Sequence, residues 1–376
     1  MRKLTLRNLK LPDDTLVDIV VDAGVIADLS PAGTRTAPTG DVLDYGGRTY
    51  VSGGWIDLHV HAFPEFDPYG DDIDEIGVKQ GVATIVDAGS CGADRIGELL
   101  ADGERAATRL LAFLNVSRIG LSRVDELSEL GWIDFALAAK AASEHPEAIV
   151  GLKARISRSV VGANGLEPLR RARKLADETG LPLMVHIGSG PPDIRDIVPL
   201  LAEGDVLTHC FHGKRNGLFG DNGQPLQELK DALKRGVKLD VGHGTASFSF
   251  RVAEAAARAG VRPHTVSTDI YRGNRLKGPV YSLANVLSKF LLLGWSLEEA
   301  IASVTIFPAS WLGRPELGRI RVGDRANLTL FAVENQTAAL VDSEGEERVT
   351  HTIIEPRGVI AGDKFMECEV RSEKSH

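Results

Sequence analysis

The spacing of apolar and polar residues changes twice along the chain. In the first part it favours β-strands, because residues 3–9 alternate in part and residues 15–21 (TLVDIVV) form a Val/Ile-rich run that ends at a turn signal, Gly24. Residues 30–40 (SPAGTRTAPTG) are rich in turn-forming residues, so we expect a loop there. The start of the chain is therefore predicted to be β-rich.

From about residue 50 the pattern becomes a strand followed by a helix, repeated. Short apolar runs recur at intervals of about 25–40 residues, which is the length of a βα unit. This alternation predicts an α/β protein with a (β/α)8 TIM-like barrel. An open, doubly wound sheet would also alternate, but it would need a glycine-rich fingerprint after its first strand, and the sequence has none there. The runs predicted as barrel strands are residues 55–61, 82–88, 110–116, 148–155, 181–187, 205–210, 237–241 and 264–269.

Helix signals stand between these runs. Residues 169–176 place apolar side chains on one helical face, and Gly180 follows where a C-cap is expected. A second, alanine-rich segment ends in the same way at Gly260. Ser296 and Glu299 have the spacing of a capping box, which predicts the start of a further helix.

Strand-like alternation returns after Leu317. The segments GRIRVGDRANLTLF and VTHTIIEPRGVIAGDKF alternate apolar and polar residues between glycine turns. We therefore expect the two ends of the chain to pair into one small β-sandwich domain, residues 1–50 plus 318–376. The barrel would then comprise residues 51–317.

Composition and charge narrow the class of protein. Hydrophobic residues make up 43% and charged residues 25%, as in globular proteins, and the net charge of −9 disfavours nucleic acid and anionic membranes as partners. No apolar run approaches the roughly 20 residues of a membrane span, and MRKLTLRNLK lacks the apolar stretch of a signal peptide. Cys91, Cys210 and Cys368 show no CxxC spacing, which indicates free thiols in a reducing compartment. The sequence thus predicts a soluble cytoplasmic protein.

Residues that can bind a metal stand at the C-terminal ends of the predicted strands, where such a barrel carries its active site. His59 and His61 close the first strand, and their spacing places both side chains on one face. Imidazole and carboxylate are natural ligands of Zn²⁺ and similar cations. The sequence therefore predicts a metal site at this rim, with zinc as the default metal. The other candidates, which close the fourth, fifth, sixth and eighth strands, are Lys153, His186, His209 and Asp269.

Lys153 does not fit a simple metal site, because a cation repels an ammonium group and a buried lysine is costly unless it is paired. An ion pair or Schiff-base chemistry would explain it. So would reaction with CO₂, which turns the amine into a carbamate, an anionic oxygen ligand that can bridge two metals. A site with two divalent cations, this carbamate, Asp269 and a bridging hydroxide would be close to neutral, which makes its burial tolerable.

These residues resemble the amidohydrolase superfamily. GGWIDLHVH (residues 53–61) is similar to its HxH motif, TIFPA with Leu312 and Gly313 to its helix near the end of the barrel, and residues 317–331 to its return into the β domain. Within the superfamily the chain looks most like the amidohydrolase/deacetylase group, whose bacterial members are often labelled dihydroorotases. The resemblance implies hydrolysis of an amide or ester bond in a small carboxylated acyl compound, and self-association into a homo-oligomer.

The resemblance also implies a role for each strand-end residue. N6-carboxylated Lys153 would bridge two divalent metals together with a hydroxide that attacks the substrate carbonyl. Asp269 would be the catalytic residue that moves the proton to the leaving atom. The remaining ligands would be His59 and His61, which share the more buried metal with Asp269, and His186 and His209, which hold the second.

One position departs from the dihydroorotases, which are expected to carry an arginine two residues after the second histidine of the HxH motif. Phe63 stands there, so a dihydroorotase would lack its carboxylate-binding group. A deaminase-like enzyme with one metal would need no bridging lysine, and a catalytically inactive binding homologue would usually have lost ligands. Lysine-based Schiff-base chemistry would leave the four strand-end histidines unexplained.

Substrate contacts are expected in the loops that follow the strands. Arg155 and Ser157 come shortly after the bridging lysine, and the guanidinium could hold a carboxylate in a bidentate manner. An ion pair between Arg155 and a barrel carboxylate such as Asp240 is the alternative. His243 lies between two glycines that allow close approach, and Tyr271 follows the strand-eight aspartate. Further candidates of the same kind are Lys214 and Asn216.

Overall fold

The structure, a computed structural model, describes residues 3–34 and 40–369. Two large sheets and one hairpin lie within these ranges, and most of the helices alternate with the strands of the second sheet. The strands are β1 (Lys3–Lys10), β2 (Leu16–Asp22), β3 (Val25–Pro31), β4 (Asp41–Asp44), β5 (Tyr50–Gly53), β6 (Trp55–Val60), β7 (Val82–Ala88), β8 (Arg109–Asn115), β9 (Ile149–Ile156), β10 (Leu183–Ile187), β11 (Val206–Thr208), β12 (Lys238–Leu239), β13 (Asn327–Glu334), β14 (Ala338–Val341), β15 (Glu347–Thr350), β16 (Ile353–Ala361) and β17 (Lys364–Glu367). The α-helices are α1 (Ile96–Arg105), α2 (Phe135–Glu144), α3 (Arg158–Val161), α4 (Glu167–Thr179), α5 (Ile194–Ile197), α6 (Gln227–Arg235), α7 (Phe250–Arg258), α8 (Arg272–Lys277), α9 (Leu283–Leu292), α10 (Leu297–Ala302) and α11 (Ile306–Trp311).

Both ends of the chain contribute to one sheet. Its strands follow the order β17-β16-β13-β5-β1-β2-β3, and β4 also pairs with β1. A bridge between Val25 and Arg325 brings β3 back towards β13, so the sheet folds over an apolar core of its own. β5 lies in this sheet, which means that the barrel begins at Trp55. The core side chains come from both ends of the chain and include Leu6, Ile19, Val51, Leu328 and Ile360.

The strands expected near residues 3–9 and 15–21 are confirmed as β1 and β2. The expected loop at residues 30–40 lies partly outside the described residues, and its first residue belongs to the end of β3. The last residues of the second segment of the small domain, 370–376, also lie outside them.

The second sheet is a run of parallel strands in sequence order, from β6 to β12. The first seven of the predicted barrel strands are confirmed by position, although the seventh is reduced to the two residues of β12. Because all strands run the same way, their C-terminal ends lie at one rim. The apolar side chains on the outer face of this sheet pack against the helices to form the main core of the molecule.

The eighth predicted strand, residues 264–269, is wrong as a regular strand. The segment closes the barrel through isolated bridges only, from Thr265 to Asp240 and from Ile270 to Val60. Its backbone leaves the pleated conformation at Asp269, where φ is +51°. The Asp57 carboxylate takes the place of some backbone acceptors of a strand. It accepts hydrogen bonds from the Thr268 backbone nitrogen (3.1 Å) and the Thr268 hydroxyl (2.5 Å).

The helix signals are confirmed. α4 buries the apolar face at residues 169–176 and ends at Gly180, whose φ is +69°. α7 is followed by Gly260 in the left-handed conformation, as expected. Ser296 and Glu299 form a reciprocal capping box at the start of α10, with hydrogen bonds of 3.1 and 2.9 Å.

Glycines allow close approach where the barrel meets the terminal sheet. A Cβ atom on Gly318 would stand 2.2 Å from the carbonyl oxygen of Thr305. We expect Gly318→Ala to lower the free energy of unfolding by about 1–3 kcal/mol, because the two backbones must part. Urea denaturation measures this.

Gly97→Ala is the matched control for Gly318→Ala. Gly97 is exposed at the start of α1 and has open space around its Cβ position. This variant should leave stability unchanged or raise it by up to about 1 kcal/mol. Equal stability of the two variants would contradict the packing described for the junction.

No helix in residues 3–34 and 40–369 has the length and apolar character needed to cross a bilayer. Cys91, Cys210 and Cys368 are all buried free thiols.

Candidate metal centre and active-site cavity

Three side chains converge at the rim where the barrel closes. His59 and His61 lie at the C-terminal end of β6, and Asp269 lies on the barrel-closing segment between α7 and α8. The Asp269 Oδ1 atom lies 3.4 Å from His59 Nε2 and 3.1 Å from His61 Nε2. Their potential ligand atoms all lie within 4.8 Å of one another. Two imidazole nitrogens and a carboxylate oxygen form a donor set that fits a divalent cation.

Hydrogen bonds on the far side of each imidazole fix its orientation. His61 Nδ1 lies 2.9 Å from the Ser90 hydroxyl, and His59 Nδ1 lies 2.9 Å from the Thr208 hydroxyl. Thr208 donates its proton to Asp240 (2.7 Å), so it accepts from His59. His59 Nε2 therefore carries the lone pair that faces the centre, which is the arrangement of a metal-binding histidine.

A second pair of histidines stands beside the first. His209 Nε2 and His186 Nδ1 face each other at 2.9 Å, and the rings of His209 and His59 have centroids 5.0 Å apart. His209 Nδ1 donates to the Gly242 carbonyl (2.6 Å), so its Nε2 is unprotonated. The two imidazoles can therefore share a second cation.

Lys153 is completely buried between these groups. Its Nζ lies 3.1 Å from His59 Nε2 and 3.4 Å from the sulfur of Met184. Burial lowers the pKa of Lys153 to about 7. None of the carboxylates in the described part of the chain forms an ion pair with it, so the ion-pair interpretation of this lysine gains no support.

Two of the candidate ligands have an unusual backbone conformation. His209 and Asp269 have φ values of +65° and +51°, in the left-handed region that side chains rarely adopt. The Asp269 nitrogen donates to the His59 carbonyl (2.7 Å), and Asn274 donates to the Asp269 carbonyl (2.9 Å). These bonds hold the backbone in place and keep the carboxylate directed at the histidines.

A cavity of about 220 Å³ opens above the ligands. Its size suits a molecule of small-metabolite dimensions, and most of its wall is polar. The Tyr271 hydroxyl lies 2.8 Å from that of Thr245, and the Tyr271 ring meets Tyr69 edge to face. The lining residues expected from the sequence are His61, Arg155, Ser157, His186, Lys214, Asp269 and Tyr271.

Arg155 lines the cavity but already has an anionic partner. Its Nη1 donates to both carboxylate oxygens of Glu126, at 3.2 and 3.1 Å. The partner is not Asp240, which accepts hydrogen bonds from Thr208 and from the hydroxyls of the barrel-closing segment instead. Glu126 is fully buried, and this burial raises the pKa of its carboxyl group.

The structure does not bring His243 to the cavity wall. Its Nε2 accepts a hydrogen bond from the buried Lys289 (2.9 Å), and its ring stacks on Phe248. Its Nδ1 donates to the Gly244 carbonyl (2.9 Å). Gly244 needs to be glycine, since a Cβ there would stand 2.4 Å from Asp269 Oδ2. His243 thus holds the loop that packs against the ligands.

Two other sequence candidates have structural partners. Asn216 bonds to the backbone of the loop that follows β10, at Gly188, Pro192 and Ile194. Phe63 is buried in the core with the Arg95 guanidinium 4.7 Å from its ring centre, and it does not line the cavity.

Several residues that shape the centre were not anticipated from the sequence. Ser90 and Thr208 orient the first two histidines, Tyr69 and Thr245 form part of the wall, and Glu126 binds Arg155. Two of them could have been predicted from their positions in the sequence, because Thr208 directly precedes a candidate ligand and Tyr69 lies in the loop after the first barrel strand. The partners of Ser90 and Glu126 are remote in sequence, which a pattern of spacing does not show.

Comparison with known proteins decides the family. The model of the amidohydrolase family matches residues 50–361. The chain belongs to the amidohydrolase family. A deacetylase of Enterococcus faecalis is 40% identical to this amidohydrolase over 367 residues, which cover 96% of the chain and 98% of the relative.

Solved structures agree with the fold. A crystal structure of an adenine deaminase matches this amidohydrolase with a TM-score of 0.93 at 39% identity, over 98% of the chain and 100% of the other protein. A crystal structure of a dihydroorotase matches with a TM-score of 0.89 at 33% identity, over 98% and 100% of the two chains. The TIM-like barrel and the hydrolase class expected from the sequence are thereby confirmed. Because the described activities differ, the substrate has to be argued from the cavity.

Asp240 is expected to support metal binding in the amidohydrolase through Thr208. In wild type, the Asp240 carboxylate accepts the Thr208 proton at 2.7 Å. In Asp240→Asn the amide nitrogen can stand in place of this oxygen, and it does not accept a proton. The Thr208 hydroxyl would then turn, which would disturb its hydrogen bond with His59. Zinc affinity, measured by competition with a chelator, should fall about 10- to 100-fold.

The control is Asp18→Asn in the terminal sheet. Asp18 is equally buried and accepts hydrogen bonds from the Asn8 and Gly33 nitrogens. The zinc affinity of the Asp18→Asn variant should equal that of the wild type. If Asp240→Asn also binds zinc as the wild type does, Thr208 has no role in orienting His59.

Proposed function

We propose that this amidohydrolase is a binuclear metal-dependent hydrolase that removes an acyl group, such as acetyl, from a small carboxylated compound by cleaving an amide or ester bond. The observation that carries the proposal is the pairing of two ligand sets across one buried lysine that has no anionic partner among the described residues. The name of the Enterococcus faecalis relative supports deacetylation in particular.

The residues at the centre divide into two ligand sets under this proposal. Lys153 lies between them as an N6-carboxylated lysine: its Nζ forms a bond to the carbon of CO₂ and releases one proton. The product is an anion in place of a buried amine, which removes the repulsion of an ammonium group next to cations. The first set is His59, His61 and Asp269, and the second is His186 and His209.

Two divalent cations, with zinc as the default for histidine-rich sites, would lower the pKa of a water molecule and polarise the scissile carbonyl when bound. Asp269 accepts the proton of the attacking water and returns it to the leaving nitrogen or oxygen. Thr208 and the Gly242 carbonyl keep His59 and His209 in the tautomers that leave the facing nitrogens free, and Ser90 orients the ring of His61. The chain thus supplies orientation and one proton carrier.

The cavity wall supports a small, polar substrate. Ser157 and Tyr271 present hydroxyl groups beside the ligands, and Arg155 is held against Glu126 with its charge towards the same space. We propose these three residues as substrate contacts. A volume of about 220 Å³ is matched by a small acyl compound.

The activities described for the two solved structures are less well supported here. An enzyme with one metal would give no role to Lys153, His186 and His209 as a group, which weighs against a mononuclear deaminase. Phe63 lies in the core at the position where a dihydroorotase is expected to carry its carboxylate-binding arginine. Schiff-base chemistry would require no histidine ligands around the lysine.

The proposed function is tested by turnover. The protein, reconstituted with zinc in the presence of bicarbonate, is assayed on matched N-acetyl and O-acetyl carboxylic acids, adenine and dihydroorotate. We expect release of acetate and no turnover of the other two compounds. Turnover of adenine or dihydroorotate alone, or the absence of any hydrolysis, would refute acyl hydrolysis. A cytoplasmic location and self-association stay predictions.

A further inference from the structure

Lys214 brings a positive charge to the cavity, and no group among the described residues neutralises it by contact. It lines the wall together with Arg155, His186 and Asp269. Across residues 3–34 and 40–369, the Lys214 ammonium forms neither a hydrogen bond nor an ion pair with a side chain. Arg155, the other cation of the wall, is bound to Glu126. The charge of Lys214 is therefore available to a ligand.

The Lys214 ammonium lies beside the Nε2 edge of His186, which is one of the proposed ligands of the second metal. A Cβ atom placed on Gly188 would stand 3.6 Å from Lys214 Nζ, 3.5 Å from His186 Nε2 and 3.3 Å from the Cβ of Ser157. The three side chains therefore surround the same small space, and glycine at position 188 leaves that space open. An anionic group there would meet the ammonium while the rest of a small molecule lies over the metal ligands.

The loop that carries Lys214 is built to hold this position. The Lys214 backbone nitrogen donates to His212 Nδ1 (3.2 Å), and His212 is buried. Asn216, two residues further on, accepts a hydrogen bond from the Ile194 nitrogen (2.9 Å) and donates to the Gly188 carbonyl (3.1 Å). The loops after β10 and β11 are thus joined on both sides of the ammonium.

We propose that Lys214 is the residue that recognises the carboxylate of the substrate and makes the enzyme select acylated acids over neutral acyl compounds. This inference rests on the proposed function for the reaction but concerns a different property, the choice of substrate charge. An ammonium in a partly closed, polar cavity pairs with a carboxylate more strongly than in open solution. Arg155 would contact the substrate less strongly, because its positive charge is already paired with the Glu126 carboxylate.

Kinetics test the selectivity directly. The acylated acid with the highest wild-type activity and its neutral N-methylamide are compared in the wild type, in Lys214→Met and in Arg215→Met. We expect Lys214→Met to lower kcat/KM for the acid about 10- to 100-fold, mainly through KM, and to change the value for the amide by less than about 3-fold. Arg215 is the matched control, because it is the exposed neighbour of Lys214 and does not line the cavity. Equal losses on both substrates, or an equal effect of both variants, would overturn the proposal.

A binding measurement separates this inference from the reaction. Levulinate has the shape of N-acetylglycine with a methylene in place of the amide nitrogen, so the metal-loaded protein cannot hydrolyse it. Calorimetric titration should show that the wild type and Arg215→Met bind levulinate at least about 10-fold more tightly than its neutral N,N-dimethylamide, and that Lys214→Met does not. Selective binding without any acyl hydrolysis would refute only the proposed function. Binding that does not distinguish the two probes, or that does so equally in Lys214→Met, would refute the role of Lys214.

Discussion

The Asp269→Asn variant is expected to lose turnover by a factor of about 10²–10⁴ while it retains part of its metal. The Asp269 Oδ1 atom lies 3.1 and 3.4 Å from the two Nε2 atoms of the HxH motif, and the oxygen of an asparagine can take the same place. An amide does not accept a proton at neutral pH, so proton transfer from water to the leaving atom would stop. Measurement of kcat and of metal content on one preparation checks both parts.

Asp324→Asn serves as the control for this variant. Asp324 pairs with Arg319 in the terminal sheet region, away from the cavity, so its loss should leave kcat unchanged. Wild-type turnover in Asp269→Asn, with metal present, would contradict the role of Asp269 as proton carrier. Loss of all metal in that variant would show that the charge of Asp269 is needed for binding as well.

The Lys153→Met variant is expected to fall from about two metals per chain to about one and to lose at least about 10³-fold in kcat. Methionine fills a similar volume beside Met184, so the core should stay packed. The bridging anion would be absent, and His186 and His209 alone would bind a cation weakly. Elemental analysis after reconstitution, together with kcat, measures the change.

A lysine in a different buried setting provides the control. Lys289 is as deeply buried as Lys153, but its partners are His243 and the Pro279 carbonyl. Lys289→Met should therefore lose stability and still bind about two metals.

In Lys153→Ala, added acetate should restore part of the activity, because a free carboxylate can occupy the space of the bridging group. Two metals per chain in Lys153→Met would refute the bridging role.

The grouping of His59, His61 and Asp269 could be predicted from the sequence because a barrel brings the C-terminal ends of its strands to one rim. His59 and His61 share a face of β6, and their Nε2 atoms do converge on the carboxylate of Asp269. Because the ends of all barrel strands share one rim, a residue at the end of one strand can be predicted to lie near a residue at the end of a distant one. The prediction of a regular eighth strand was wrong, because the backbone leaves the pleated conformation at Asp269, whose carboxylate points inward.

The partners of charged groups could not be predicted in the same way. Arg155 was expected to face either substrate or Asp240, and its contact is Glu126, which comes from a loop of irregular structure. The glycines around His243 indicated a place for substrate, yet the ring is bound by Lys289 from α9. Both outcomes depend on tertiary contacts between loops and helices, which carry no period in the sequence.

Relatives with the same barrel are described with different activities, so the fold alone does not determine the substrate. A deacetylase, an adenine deaminase and a dihydroorotase all match this chain over nearly its whole length. The barrel fold is therefore shared by proteins with different described activities. Tyr271 and Lys214 line the cavity from the loops after the strands, and we propose that they contribute to selectivity.

The proposed binuclear centre, bridged by a carboxylated lysine, is tested most directly by metal stoichiometry. The wild-type protein, stripped of metal, is reconstituted with excess zinc in buffers with and without bicarbonate, and the bound zinc is counted by elemental analysis. We expect about two zinc ions per chain with bicarbonate and a lower number without it. A single zinc ion per chain under both conditions would contradict the proposed centre.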